Sequence, residues 1–251
     1  MDFLTLFDLS APQWSLFILC AFLVGMAKVG LPGVGTVIVP ILALVFGGKP
    51  STGILLPILI MADLFAVGYY HHHAQWKHLF KILPWAIAGI LIAMYVGKNV
   101  SDEQFKTILG SVILLGIGIM IWREQGMKEK SIPDNWYFAG FMGLAGGFAT
   151  MIGNAAGPIF AIYLLAMHMP KNKFIGTTAW FFCIINILKV PLHIWSWETI
   201  NLQTFQLDLM VLPAVALGAF SGVKLVRLIP DKTYRWFVIG ITVLSAGLLI
   251  F

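Results

Sequence analysis

The stretch "AKVGLPGVGTVIVP", residues 27–40, interrupts an otherwise apolar part of the chain. It places Lys28 directly before "GLPGVG", residues 30–35, which we call the first break. Unpaired backbone N–H and C=O groups are costly in hydrocarbon, so such a break is tolerated only where protein buries it or where it lines a polar cavity. A cation next to a broken apolar segment therefore predicts a functional site at membrane depth.

The composition predicts a membrane protein. Of the 251 residues, 59% are hydrophobic and only 11% are charged, whereas soluble domains carry about 25% charged residues. The apolar stretches approach the roughly 20 residues that a helix needs to cross a bilayer. We therefore expect an all-α polytopic membrane protein, with residues 1–251 forming a single transmembrane domain in a lipid bilayer.

Charge and cysteine usage exclude several other classes. The formal net charge is +5, and in a membrane protein basic residues report orientation rather than a nucleic-acid partner. Cys20 and Cys183 both lie in apolar segments, so they indicate neither a disulfide framework nor a metal site. The sequence has no GxSxG, HExxH or P-loop motif. We expect no enzymatic activity, no cofactor and no nucleic-acid partner.

A second interruption resembles the first. "GNAAGP", residues 153–158, is the second break, and each break is followed by a short apolar segment, 36–46 or 157–169. Paired interrupted segments of this kind, in corresponding positions of two halves, indicate a transporter site between repeats.

Shifts along the sequence support a duplication. A shift of 120 residues aligns Gly33 with Gly153, and a shift of 129 aligns Gly89 with Gly218. The alternative is a chance match of glycines in apolar sequence. The duplication predicts a first repeat at 13–122, a linker loop at 123–135 and a second repeat at 136–251, with an insertion near residues 195–206.

Basic residues favour inverted repeats. If each broken segment forms a helical hairpin that enters and returns on one side, each repeat adds about three spanning helices and most connecting lysines and arginines fall on one side. The positive-inside rule prefers this arrangement over parallel repeats. We expect a multi-pass protein of the cell inner (plasma) membrane with both termini outside the cytoplasm.

The first break predicts an anion site. The short helix that begins near Gly35 and Thr36, together with the amide of Gly33, offers free N–H groups and a positive dipole end, and Lys28 adds a full charge. The alternative is a structural salt bridge from Lys28 to Asp63, which lies in the middle of an apolar segment. Both hold if Asp63 positions the lysine, and Asp63 is also a candidate proton carrier.

The second break offers the matching half of this site. Asn154, Ala155 and Gly157 are expected to present backbone N–H groups at the start of the 157–169 helix. The alternative is close helix packing through small residues.

The segment 176–191 adds polar side chains within the membrane. Asn186 and Lys189 are three apart and share a helix face, and Thr177 lies on the same segment. Lys189 is either part of the site or reaches out to the interface. Pro191 is expected to loosen the backbone near residue 187.

The histidines His71, His72 and His73 are interpreted as a loop at the membrane edge. Consecutive residues do not share a helix face, and no cysteine or carboxylate lies nearby. Metal transport remains the alternative that rests on them.

These motifs resemble a known family. "KVGLPGVGTVIVP" (28–40) and "GNAAGPIFAIYLLAMHMPKNKFIGTTAWFFCIINILKVP" (153–191) are similar to the sulfite exporter TauE/SafE family, over nearly the whole chain. Typical members have consecutive glycines at the first break, where this chain has "GLPGVG". The resemblance implies cofactor-free transport of sulfite or a related sulfur-containing oxyanion or organosulfonate, and it assigns no binding residues.

The expected function is therefore secondary transport of a small anion, with alternating access between the two repeats. The alternatives are an anion channel with a fixed pore and a membrane subunit that transports nothing.

Overall fold

The computed structural model describes residues 9–30, 34–101, 103–104, 111, 136–167, 169–230, 233–234 and 236, and every element in this part of the chain is helical. Gly33 and the expected linker 123–135 lie outside the described residues. So does most of the predicted apolar segments 105–122 and 234–251.

The helices of the two halves follow the same order. In the first half they are α1 Ala11–Lys28, α2 Val34–Phe46, α3 Gly48–Tyr70 and, after a 3-10 turn at His71–His73, α4 Trp76–Lys98. In the second half they are α5 Trp136–Gly153, α6 Gly157–Ala166, α7 Lys171–Trp195, α8 Leu202–Met210 and α9 Leu212–Leu228. Each half thus contains a long helix, a short helix after the break, and further long helices.

The helices and their surfaces fit a bilayer. Helices α1, α3, α4 and α7 are long and apolar enough to cross a membrane, and the bent α8–α9 pair makes a fifth candidate span. Large apolar side chains such as Leu44, Phe80, Tyr95 and Phe220 are more than half exposed. Exposed apolar surface on this scale needs lipid around it. The predicted multi-pass helical membrane protein is confirmed, while the choice of membrane and the side of the termini stay predictions.

One detail differs from the sequence-based expectation. The segment 207–226, predicted as one span, is divided at Val211 into two helices that meet at 48°, because Pro213 lies at the start of α9, where a helix begins most readily. Helix α7 continues through Pro191 to Trp195, and the expected loosening near residue 187 stays a prediction, because proline has no N–H to bond the residue 187 carbonyl group.

Close helix pairs join the two halves reciprocally. Helix α1 packs along α9, where Gly218 lies against the carbonyl group of Phe22, and α4 packs along α5, where Gly147 lies against that of Ala86. The facing helices approach in the same way through Gly25 and Gly89. Only glycine allows backbones to come this close. In both pairs the first helix of one half runs parallel to the last described helix of the other.

Helices α3 and α7 form the centre. They are the most buried of the candidate spans. They run antiparallel, since the end of α3 at Tyr70 lies against Gly176 near the start of α7, and Gly53 near the start of α3 lies against Thr199, just past the end of α7. Lys28, Thr150 and Asn154, which lie on other elements, each contact a residue of one of these two helices.

The Gly147→Ala substitution tests the α4–α5 contact. An added methyl group would overlap the Ala86 carbonyl group, and overpacking of this kind costs about 1–3 kcal/mol. We expect a lower thermal unfolding midpoint for the purified protein in detergent. Gly146→Ala is the matched control, because its nearest neighbour would be Ile159 Cγ2 at 3.7 Å. Equal midpoints for the two variants would contradict the packing described here.

Candidate functional site

A cavity lies among α1, α3, α5, α6 and α7, beside the second break. Lys28, which ends α1 just before the first break, and Asn154 and Gly157 of the second break all line it. Its empty space is about 740 Å³, counting the part that opens outward. The polar lining is completed by Thr150, Thr178 and Asn186, and the apolar walls include Leu55, Leu59, Phe174 and Phe182. The structure therefore brings the residues that flank both breaks to one cavity.

Lys28 supplies the positive charge of this cavity. Its Nζ lies 2.8 Å from Asp63 Oδ1, and 13% of its side chain stays exposed while Asp63 is fully buried. The same Nζ lies 4.4 Å from the centre of the Phe182 ring, which attracts cations through its negative face. The ion pair expected from the sequence is present. Because an ammonium group has three N–H donors, Lys28 can hold Asp63 and still donate into the cavity.

Asp63 connects Lys28 to α7. Its Oδ2 accepts a hydrogen bond of 2.6 Å from Asn186 Nδ2. Lys28, Asp63 and Asn186, which we call the Lys28 triad, thus join α1, α3 and α7 through a continuous chain of polar contacts. The remaining acceptor, Asn186 Oδ1, is buried and has no hydrogen-bond partner among the described residues.

Lys189 holds the second break. Its Nζ donates to the Thr150 carbonyl oxygen (3.0 Å), to Thr150 Oγ1 (3.0 Å) and to Asn154 Oδ1 (2.6 Å). Asn154 Nδ2 in turn donates to the carbonyl oxygen of Thr52 on α3, at 3.2 Å. We call Lys189, Thr150, Asn154 and Thr52 the Lys189 clamp. Its lysine sits at the carbonyl end of α5, where the helix dipole favours a cation.

Lys189 therefore does not reach the interface, and that alternative is wrong. Its side chain is fully buried, and the clamp uses all three of its N–H donors. It does not itself line the cavity, although its partners Thr150 and Asn154 do. Direct contact between Lys189 and a substrate stays a prediction.

The second break is built differently from the expectation. Asn154 adopts the left-handed backbone conformation with φ of 53°, which asparagine tolerates better than most residues. Its amide donates to the Thr150 carbonyl oxygen, and the amide of Ala155 donates to that of Ala149. Both amides thus close the end of α5 instead of facing the cavity. The side chain of Asn154 takes their place there.

The threonine that lines the cavity is Thr178, not the predicted Thr177. Thr177 accepts a hydrogen bond from the Gln75 amide and donates to the Lys173 carbonyl oxygen. It is fully buried beside the turn between α3 and α4, away from the cavity lining. Thr178 lines the cavity instead. At the first break, Gly35 and Thr36 lie in the first turn of α2.

The histidines form an exposed turn. His71, His72 and His73 make up the 3-10 turn before α4, and the rings of the first two lie 3.8 Å apart. Within the described ranges, no group of three or more His, Cys, Asp or Glu side chains is arranged to hold a metal ion. Cys20 and Cys183 are buried free thiols.

Fold and site define a helical multi-pass membrane protein with a cation-lined cavity between two broken segments. The family model described as "Sulfite exporter TauE/SafE" matches residues 17–249. The chain belongs to the sulfite exporter TauE/SafE family of membrane transporters, so the family predicted from the sequence is confirmed. No curated protein and no solved structure matches it.

Proposed function

We propose that this chain is a secondary transporter of a small sulfur-containing oxyanion, sulfite or an organosulfonate, which binds in the cavity between the two breaks. The observation that carries the proposal is the position of Lys28: a partly exposed ammonium group, two residues before the first break, borders a cavity that the second break also lines. A half-buried cation that borders a cavity at membrane depth favours an anionic ligand.

The cavity lining suits both parts of such a ligand, its sulfur-bound oxygens and its carbon chain. Lys28, Asn154 and Asn186 bring an ammonium and two amide groups to one cavity, and these groups can donate to sulfur-bound oxygens. Phe174 and Leu59 offer an apolar wall, which accommodates the carbon part of an organosulfonate. Sulfite itself needs only the polar groups.

Alternating access between two inverted repeats is the mechanism that the helix arrangement supports. The antiparallel α3–α7 pair and the reciprocal α1–α9 and α4–α5 pairs are what two oppositely oriented copies of one unit would produce. The Lys28 triad ties the first break to α3 and α7, and the Lys189 clamp does the same for the second break. Rocking of one repeat against the other would open the cavity to either side in turn.

Uptake into proteoliposomes tests the proposal. We expect labelled sulfite to enter saturably and to exchange with unlabelled sulfite, with competition from organosulfonates but not from cations. Large, unsaturable conductance would favour a channel with a fixed pore. A folded protein that moves no anion would favour a membrane subunit without transport activity.

A variant with His71, His72 and His73 all changed to alanine is the matched control. These side chains are exposed in a turn outside the cavity, so anion uptake should persist. Loss of uptake together with loss of metal binding would redirect the function to metal transport.

A further inference from the structure

The charge balance of the Lys28 triad limits how an anion can bind. Lys28 and Asp63 lie 2.8 Å apart and together carry no net charge. An anion placed beside Lys28 would also lie near the Asp63 carboxylate, and two like charges in a desolvated site repel strongly. An anion added alone would leave the buried site with an uncompensated negative charge, which is costly to desolvate.

Asn186 is equipped for both charge states of Asp63. Its Nδ2 donates to Asp63 Oδ2, while its Oδ1 is buried and finds no partner in the described part of the chain. A side-chain amide offers donors on one side and an acceptor on the other. After rotation of the amide, the idle Oδ1 would accept a hydrogen bond from a protonated Asp63. Few buried amides retain such an unused acceptor.

We infer that Asp63 takes up one proton as the anion binds to Lys28, so that one proton and one anion cross the membrane together. The inference rests on the proposed function and names the coupling ion of the same site. The charges balance: Lys28 and the Asp63 carboxylate are replaced by Lys28, a neutral Asp63 and the anion. The proton comes from water in the cavity, past Lys28 and Asn186, which line it, and binds a carboxylate oxygen; no other covalent bond changes.

Among the ionisable groups near the site, the Asp63 carboxylate is the one that we expect to change its protonation state. The cations that interact electrostatically with Asp63 are Lys28 on α1 and Lys189 on α7. The Cys183 thiol on α7 also interacts with the Asp63 charge. Lys189 is fixed by its clamp. The other ionisable groups on elements packed against α3 are Cys20 on α1, Tyr137 on α5, Lys171, Lys173 and His193 on α7, Asp208 on α8, Lys224 and Arg227 on α9, and His71–His73 in the turn. The ion pair of Asp63 is with Lys28.

Binding of an alkanesulfonate at several pH values tests the coupling. Its acid group stays ionised throughout, unlike that of sulfite, so any pH dependence belongs to the protein. For the wild type in lipid nanodiscs, calorimetry should show affinity rising about tenfold for each unit of pH decrease, as linkage to one proton requires. Asp63→Asn should bind with a pH-independent affinity, at least as tightly as the wild type at the lowest pH.

The matched control is Asp208→Asn. Asp208 is also fully buried. Asp63 contacts Lys28 and Asn186, which line the cavity, whereas Asp208 has no hydrogen-bond partner among the described residues. This variant should keep the wild-type dependence on pH. In proteoliposomes, an inward proton gradient should drive accumulation by the wild type, whereas Asp63→Asn should only exchange anion for anion.

A second measurement needs no variant, and so holds even if Asp63→Asn does not fold. In weakly buffered solution, binding to the wild-type protein should remove about one proton per anion, as read with a pH dye. Affinity that does not change with pH, no proton uptake, or a wild-type slope in Asp63→Asn would overturn the coupling and leave anion transport standing. No binding at any pH would overturn the proposed function and this inference with it.

Discussion

Lys28→Met should weaken anion binding by about a hundredfold, equivalent to ~3 kcal/mol, the upper end of what a charged hydrogen bond contributes. Methionine keeps most of the length of the side chain and removes only the charge and its donors. Lys28 is the only cationic side chain that lines the cavity in the described structure, so no neighbour replaces it. Binding of labelled sulfite or an alkanesulfonate to the purified variant is the measurement.

The same substitution removes the counter-ion of Asp63. Asp63 is fully buried, and a buried acid that loses its cation destabilises a protein by about 3–5 kcal/mol. With Lys28→Met alone, a loss of anion binding could therefore result from unfolding. The double variant Lys28→Met/Asp63→Asn removes both charges and should regain stability, while its anion binding stays lost. Lys28→Arg, which keeps the charge, should bind measurably.

Comparison of the double variant Lys28→Met/Asp63→Asn with the wild type also decides between the two roles considered for Lys28. If the double variant binds anions as tightly as the wild type, Lys28 serves only as a structural partner of Asp63. If it folds and does not bind, the ammonium group itself holds the anion.

The sequence was sufficient to predict the contacts of charged residues that lie alone in apolar segments. Lys28 and Asp63 are charged residues within long apolar runs, and each has few candidate partners there, so their pairing could be predicted without coordinates. The shared inward face of Asn186 and Lys189 follows from their spacing on α7, and both side chains are buried. The glycines and prolines of the two breaks correctly predicted where helices α1 and α5 end.

Other features depend on tertiary packing, which the sequence does not encode locally. Thr177 and Thr178 are adjacent on a helix that is apolar on most sides, so no periodic pattern indicates which of them faces the cavity. The amides of Asn154 and Ala155 looked free, but the left-handed turn at Asn154 folds them back onto α5. The partners of Lys189 come from α5 and the second break, 39 and 35 residues earlier in the chain.

Lys189→Met should produce the largest loss of stability among single substitutions in the clamp. It removes the donor to Thr150 Oγ1 and to Asn154 Oδ1, while the Thr150 carbonyl oxygen keeps the Asn154 amide as its donor. Unsatisfied buried polar groups cost about 1–3 kcal/mol each, so we expect a total of roughly 3–5 kcal/mol after relaxation. Thermal unfolding in detergent measures it.

Lys171→Met is the matched control on the same helix. Lys171 also donates to the carbonyl oxygen at a helix end, that of Ile229 at 2.7 Å, but it is only partly buried. Solvent can replace that bond, so this variant should lose about 1 kcal/mol or less. Similar losses in the two variants would contradict the buried, fully bonded state of Lys189.

Measuring both the stability and the anion affinity of the variants distinguishes a lysine that stabilises the fold from one that binds the anion. Lys189 spends its three donors on the clamp, whereas Lys28 keeps an exposed fraction at the cavity. Among the variants that fold, stability should therefore fall most in Lys189→Met, and affinity should fall most in Lys28→Met/Asp63→Asn. The reverse order would place the cation that binds substrate at Lys189 and would make Lys28 the structural residue.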